Sequence, residues 1–349
     1  MGSTAGLIPP SLRLPRRGAP PLWEAEDPYG SRPEFAALNV NRSSHPHLPP
    51  NLASSAREPG RRGPRHTETA PSHAVFTTAW QEWHAAHERH RADPHGFLAV
   101  THLHWLGSAP TAFEGVPGTW SVKDDAVTVV LSAGESLRRD GQELNPGGAR
   151  GTVSFEPIAE REGINLTSGE TVVELAKRGG EYIVRPRHPE NALLAGYNGT
   201  PAYEPDEAFA VTGTFVPFEE PRATTVGAAV EGIQHVYEAP GEIRFRLDGQ
   251  DLTLTAFNGH AQGALSVLFT DATSGKTTYA ANRSLAVGAP GPDGTVLLDF
   301  NRAVNLPCAY TDLATCPLPP AENRLTVAIE AGEQTPVERL AAVELQAAK

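Results

Sequence analysis

The stretch Ile243–Phe257, IRFRLDGQDLTLTAF, decides how this chain folds. Ile243, Phe245 and Leu247 alternate with Arg244 and Arg246, so a period of two sorts apolar and charged side chains onto opposite faces of a strand. Asp248-Gly249 follows as a two-residue loop. Asp and Gly tolerate the positive φ angles that a type I′ turn requires. Leu252–Phe257 must therefore return antiparallel to Ile243–Leu247.

The same signature recurs in both directions along the chain. Val127–Leu131 alternates after Asp124-Asp125. Asp140-Gly141 separates Ser136–Arg139 from Gln142–Leu144. Gly179-Gly180 separates Thr171–Ala176 from Tyr182–Arg185. Leu265–Phe269 and Thr295–Phe300 read as two more strands. Short turns join antiparallel neighbours. The expected fold is mainly β, an antiparallel meander forming a sandwich or open barrel. The absence of a strand–helix–strand rhythm argues against a Rossmann-type domain.

Two helices frame the strands. Thr78 and Gln81 fit a capping box. Phe76, Trp80, Trp83, His87 and His90 recur at spacings of four and three, along one helical stripe. Asp93-Pro94 ends that helix. Phe97–Leu106 reads as a buried strand or a short packed segment. Pro336–Ala348, rich in Ala, Leu and Glu, reads as a short C-terminal helix.

The composition narrows the class. Among 349 residues are 33 Gly, 32 Pro and 2 Cys, which rules out both a long-helix bundle and a disulfide-dense scaffold. The net charge of -12 repels phosphate backbones, so nucleic acid is not an expected partner. No apolar run is long enough for a membrane-spanning helix, and no membrane partner is expected. Residues 1–71 hold 13 of the 32 prolines and no apolar period. They are expected to be a disordered Pro/Arg-rich extension, or a peptide that docks a partner through its prolines. Residues 72–335 are read as a single β-rich domain and 336–349 as a helical tail. The chain lacks the continuous apolar core of an export signal, so a cytoplasmic location is expected.

Several motifs fail on inspection. Thr270–Thr277, TDATSGKT, imitates the end of a phosphate-binding loop. That loop needs Gly where Thr270 stands, and Asp271 would set an anion among N–H groups meant for phosphate. His87-Glu88-Arg89-His90 is one residue short of the zinc-protease spacing. His84, His87 and His90 diverge around the helix, and their expected role is packing at its edge. His102 and His104 share a face if their segment is a strand, again beside Trp105. No Gly-x-Ser-x-Gly elbow occurs. Cys308 and Cys316 could pair, bind a metal with distant histidines, or stay buried thiols; buried thiols are the expected state in a cytoplasmic protein. No metal or cofactor is assigned.

Polar residues concentrate between Asp271 and Glu333, in DATSGKTTYAANR (271–283), LDFNRAVNLPCAYTDLATCPLPPAENRL (298–325) and EAGE (330–333). Asp299 and Asn301 face one side if they end a strand. Arg302 and Arg324 offer planar bidentate donors. About twenty residues with no apolar period follow Asn301, and long ordered loops of this kind usually serve a purpose. The alternative is structural: Asp271 opens an Asx turn, and Asp299 pairs with Arg283 or Arg302 to pin the loop.

These segments resemble the uncharacterised bacterial and archaeal family called domain of unknown function 1684. DFNRAVNLPCAYTDLATCPLPPAENRL and FTDATSGKTTYAANRSL carry the resemblance, with PHGFLAVTHLHWL (94–106), RPRHPEN (185–191) and YNGTPAYEP (197–205). The chain departs from the family pattern at His188, where Asp follows Arg-x-Arg, and at Leu306, where Pro is favoured. The resemblance implies no activity. It implies that residues 1–71 and the C-terminal helix lie outside the shared domain.

Two functions from different classes follow. In the first, Arg185, Arg187, Arg283, Arg302 and Arg324 surround a pocket with Asn301 and Asn323. Tyr197, Tyr203 and Tyr279 wall it, and it takes a polar or anionic small molecule. In the second, Asp271 and Asp299 act as general acid and base in one accessible cleft of a hydrolase or isomerase, while Asn301 and Arg302 stabilise developing charge.

Overall fold

The structure, a computed structural model, describes residues 73–145 and 150–339. The extension expected over 1–71 lies outside the described residues. The described chain divides into two compact units, His104–Arg185 and the remainder, since the chain leaves the second unit after Leu103 and re-enters it at Pro186.

The first unit holds β1 (His104–Trp105), β2 (Thr111–Phe113), β3 (Val116–Lys123), β4 (Ala126–Leu131), β5 (Arg138–Arg139), β6 (Gln142–Glu143), β7 (Gly151–Phe155), β8 (Gly163–Ser168), β9 (Thr171–Arg178) and all but the last two residues of β10 (Glu181–Arg187). They form a sheet of order β2-β3-β4-β7 and another of order β1-β10-β9-β8-β5-β6. Trp120, Val127, Val129 and Leu131 from the first join Leu166, Val173, Leu175 and Val184 from the second in one apolar cluster. The unit is therefore a β-sandwich.

The second unit holds α1 (His73–Arg91), the single-turn α2 (Ala192–Ala195), β11 (Ala210–Gly227), β12 (Gln234–Leu247), β13 (Gln250–Asn258), β14 (Leu265–Phe269), β15 (Arg283–Val287) and β16 (Thr295–Asp299). Its sheet has the order β15-β14-β13-β12-β11-β16. The sequence neighbours β15 and β16 thus stand at opposite edges. Val304, just past β16, exchanges two backbone hydrogen bonds of 2.8 and 2.9 Å with Ser284 of β15, which draws those edges together. The sheet curls into an open barrel around Ile243, Phe245, Leu254, Phe269, Leu298 and Phe300.

The decisive hairpin forms as read. Leu247 pairs with Gln250, and Asp248 and Gly249 sit at φ 49° and 71°. Asp124-Asp125, Asp140-Gly141 and Gly179-Gly180 also carry two successive positive φ values, so all four expected two-residue turns are of the primed kind.

Two local expectations need correction, and a third is only partly described. Thr78 does not cap α1, which begins five residues earlier; its hydroxyl bonds back to the Ala74 carbonyl at 2.8 Å. The stripe ends at Arg91 in place of the exposed His90. Residues 336–339, which would open the C-terminal helix, are irregular, and the rest of that helix falls outside the described residues.

Residues 324–333 follow a strand pattern without a ladder of their own. Leu325, Val327, Ile329 and Ala331 point into the barrel, while Arg324, Thr326, Ala328 and Glu330 face out. Arg283 holds this segment, donating to the carbonyls of Ile329 at 3.0 Å and Ala331 at 2.5 Å.

Candidate functional site

Most of the arginines and carboxylates expected at the site are struts. Asp271 and Arg283 pair at 2.8 Å with side chains 0% and 1% exposed. The other Asp271 oxygen accepts from the N–H and hydroxyl of Thr273 at 2.8 and 2.6 Å and from the Ile329 N–H at 3.2 Å. Asp271 thus lies in a closed interior with both oxygens engaged, in place of the accessible cleft expected for it beside Asp299.

Asn323 is equally committed. It donates to the Thr255 and Leu268 carbonyls at 2.9 and 2.8 Å and accepts from the Thr255 N–H at 2.7 Å. Asn301 exchanges hydrogen bonds of 2.8 and 2.9 Å with the Asp206 backbone. Asp299 caps the following turn through the Asn301 N–H and pairs with Arg302 at 3.1 Å. Arg185 lies in the first unit, on a bidentate pair with Glu174 at 2.8 and 2.6 Å. In the second unit Arg187 is buried and holds the His95 carbonyl at 3.0 Å. Tyr203 meets the Thr277 hydroxyl at 2.6 Å, Tyr279 meets the Cys308 carbonyl at 2.8 Å, and Arg324 is exposed. In the second unit Arg187, Arg283 and Arg302 are thus each engaged by separate local partners.

A different group converges along the inner stripe of α1. Trp80, His84, His87, Glu88 and Arg91 follow at helical spacing and face the barrel's connecting segments. Trp80 anchors the helix by donating to the Asn301 carbonyl at 2.7 Å. Trp80 stacks on His84 and Trp83 on His87, with ring centroids 4.7 and 5.4 Å apart. Arg302 lies over the Trp83 ring and Arg91 over the Tyr310 ring.

The polar members form a graded network. Arg91 makes short contacts with both the His87 ring and the Glu333 carboxylate. The second Glu333 oxygen accepts from the Asn305 N–H at 2.6 Å. Burial pushes the Glu333 carboxyl up, but the Arg91 charge, His87 and the Asn305 N–H outweigh it and hold the group below the usual carboxylate range. Glu88 turns one oxygen to the Tyr197 hydroxyl at 2.5 Å and the Thr200 N–H at 3.2 Å. Burial raises the Tyr197 hydroxyl, so it stays protonated and donates. Gly199, at φ 104°, lets the chain approach that carboxylate.

The other Glu88 oxygen points elsewhere. It stands 3.9 Å from His84 Nε2 and 3.8 Å from Arg91 Nε, too far for a direct hydrogen bond. These three atoms, with Arg91 Nη1 and Asn305 Oδ1, are buried and have no hydrogen-bond partner among the described residues. Burial also pushes the His84 pKa down, against the opposing pull of Glu88 and Glu333. Among the described residues no group of three metal-ligating side chains forms, and no helix is long and apolar enough to cross a membrane.

Sequence reasoning passed over this seam because the histidines were weighed as zinc ligands and set aside. The usable signal was a helix whose apolar stripe turns polar in its second half.

The family model described as "Protein of unknown function (DUF1684)" matches residues 195–334. That span contains Tyr197, Thr200, Asn305, Tyr310 and Glu333; α1 precedes it. The solution NMR structure of an uncharacterised protein of Haloarcula marismortui is 32% identical, over 42% of this chain and 80% of that one, with a TM-score of 0.36. No curated protein matches the chain. The chain belongs to the family of proteins of unknown function DUF1684.

Proposed function

We propose that the second unit is a binding domain for a small polar molecule, held in the seam between α1 and the segments carrying Tyr197, Asn305 and Glu333. One observation carries this reading. Glu88 Oε1 stands 3.9 Å from His84 Nε2 and 3.8 Å from Arg91 Nε with no hydrogen bond to either, and Arg91 Nη1 and Asn305 Oδ1 also have no hydrogen-bond partner among the described residues. A buried polar atom without a partner costs about 1–3 kcal/mol. Several on neighbouring side chains of one seam are a standing destabilisation that a hydrogen-bonding guest would relieve. The carboxylate-pair enzyme has no comparable support, since Asp271 is sealed against Arg283.

The test is a thermal-shift screen of the purified full chain against a broad metabolite set. A ligand present at a hundredfold its Kd stabilises by about 2.7 kcal/mol, which moves the melting point by several degrees. At least one compound should do so, and its effect should disappear in Glu88→Gln. A screen with no hits, or hits that survive Glu88→Gln unchanged, overturns the reading.

A further inference from the structure

Resting on the seam as a binding site, we propose that its ligand is a neutral, hydroxyl-rich molecule, a sugar or polyol, and that Glu88, Arg91 and His84 take its neighbouring hydroxyls. Charge balance argues first. Arg91 lies between two carboxylates, paired with Glu333 and 3.8 Å from Glu88, while Arg302 is matched by Asp299. An anion would enter beside more negative than positive charge, and an ammonium ion would meet the Arg91 guanidinium.

Donor and acceptor chemistry argues second. Glu88 Oε1 and Asn305 Oδ1 can only accept, whereas Arg91 Nε and Nη1 can only donate. A hydroxyl does both, so one group can donate to Glu88 and accept from Arg91 or His84. Gaps of 3.8 and 3.9 Å are too long for direct hydrogen bonds, so each of these atoms keeps a bonding direction that a hydroxyl can take. His84, kept neutral by burial, can take either role.

Access argues third. The His84 and Glu88 side chains are 23% and 17% exposed overall, although His84 Nε2 and Glu88 Oε1 are themselves buried, and Arg91 and Asn305 lie deeper, so a ligand enters past the outer parts of His84 and Glu88.

The experiment titrates the full chain with ribose, glucose, myo-inositol and glycerol in one panel and with phosphate, acetate and citrate in another, read by calorimetry and melting point. A member of the first panel should bind, with phosphate, acetate and citrate inert. Glu88→Gln should weaken that binding about tenfold or more, a charged hydrogen bond being lost. His84→Leu should weaken it too, while leaving the Tyr197 and Thr200 bonds to Glu88 in place and so guarding against a folding artefact. Arg324→Ala, on the exposed side, should change nothing. Anion binding that Glu88→Gln strengthens overturns the hydroxyl class and leaves the seam standing. Silence from both panels also overturns the class, and the metabolite screen then judges the seam alone. Polyol binding indifferent to both variants overturns site and class together.

Discussion

Arg91 and Glu333, 242 residues apart in sequence, form a buried ion pair that ties α1 to the last extended segment of the barrel. Their side chains are 3% and 1% exposed, and Glu333 also receives the Asn305 N–H. Removing one partner strands the other charge in a dry interior. Arg91→Met is expected to destabilise the fold by about 3–5 kcal/mol, and a double variant with Glu333→Gln should recover part of that loss. Urea denaturation measures both. A single-variant cost under about 1 kcal/mol would show that solvent already screens the pair.

Stability should fall on the acid side in two steps. The Glu333 carboxyl titrates below its ordinary value of 4.5, so the folded state binds fewer protons there than the unfolded chain. Its contribution is present above that value and is lost as pH falls through the lower, folded one. The His84 pKa is also depressed, from 6.5, so the unfolded chain takes up a proton first as pH drops below that point. Urea midpoints measured between neutral and acid pH should decline in both windows. Glu333→Gln should flatten the lower step and His84→Leu the upper one. A midpoint that rises on acidification contradicts both assignments.

The turns were legible in the sequence because they are local. Asp248-Gly249 needs only its own φ angles and its flanking alternation to specify a hairpin. The two-unit division was not, because the second unit contains both ends of the described chain and its contacts are long-range. Arg283 and Asn323 were recognised as polar and clustered, but one sequence cannot distinguish a ligand-binding guanidinium from one capping backbone carbonyls. Both uses call for the same donors, and burial decides between them. The α1 seam was hidden for the opposite reason. His84, Glu88 and Arg91 lie on a helix, where a weakly apolar stripe reads as an edge, and their partners Tyr197 and Glu333 arrive from more than a hundred residues away.

Asp271→Asn separates a strut from an acid–base group. Arg283 donates to Asp271 and to three backbone carbonyls of residues 324–333, and burial already pulls its pKa down. Loss of the carboxylate leaves that guanidinium without its counter-charge. The variant should lose about 3 kcal/mol or more of stability, yet bind ligand normally at temperatures where it remains folded. Calorimetry on the folded variant decides. A fully stable Asp271→Asn protein would refute the strut.

Cys308 and Cys316 should behave as inert thiols in the native state. Both are buried, the Cys308 N–H points at the Cys316 sulfur from 3.4 Å, and they pack with Leu268, Leu306 and Ala314. The neighbouring Cys316 thiol, and then burial, push the Cys308 thiol well up, so almost no thiolate is present near neutral pH. An aromatic disulfide reagent should titrate both thiols only after denaturation, at least about a hundredfold faster than in native protein. Rapid native labelling of either cysteine contradicts this packing.

Gly332 sets the position of Glu333, and its replacement is the most damaging small change expected near the seam. Its φ of 74° already disfavours any side chain. A Cβ built there would also lie 2.5 Å from the Ala303 carbonyl oxygen and 2.7 Å from that of Phe300, both backbone atoms that cannot swing aside. The Glu333 N–H bonds to the same Ala303 carbonyl at 2.9 Å, so displacement at Gly332 moves the carboxylate that Arg91 and Asn305 share. Gly332→Ala is expected to cost about 2–4 kcal/mol from the backbone alone. Ligand binding in the surviving folded fraction should weaken as well. The exposed Gly249, at φ 71° with open space around its Cβ position, provides the control. Gly249→Ala should cost only about 1–2 kcal/mol of turn strain and leave binding unchanged, as melting and titration of the two variants side by side will show.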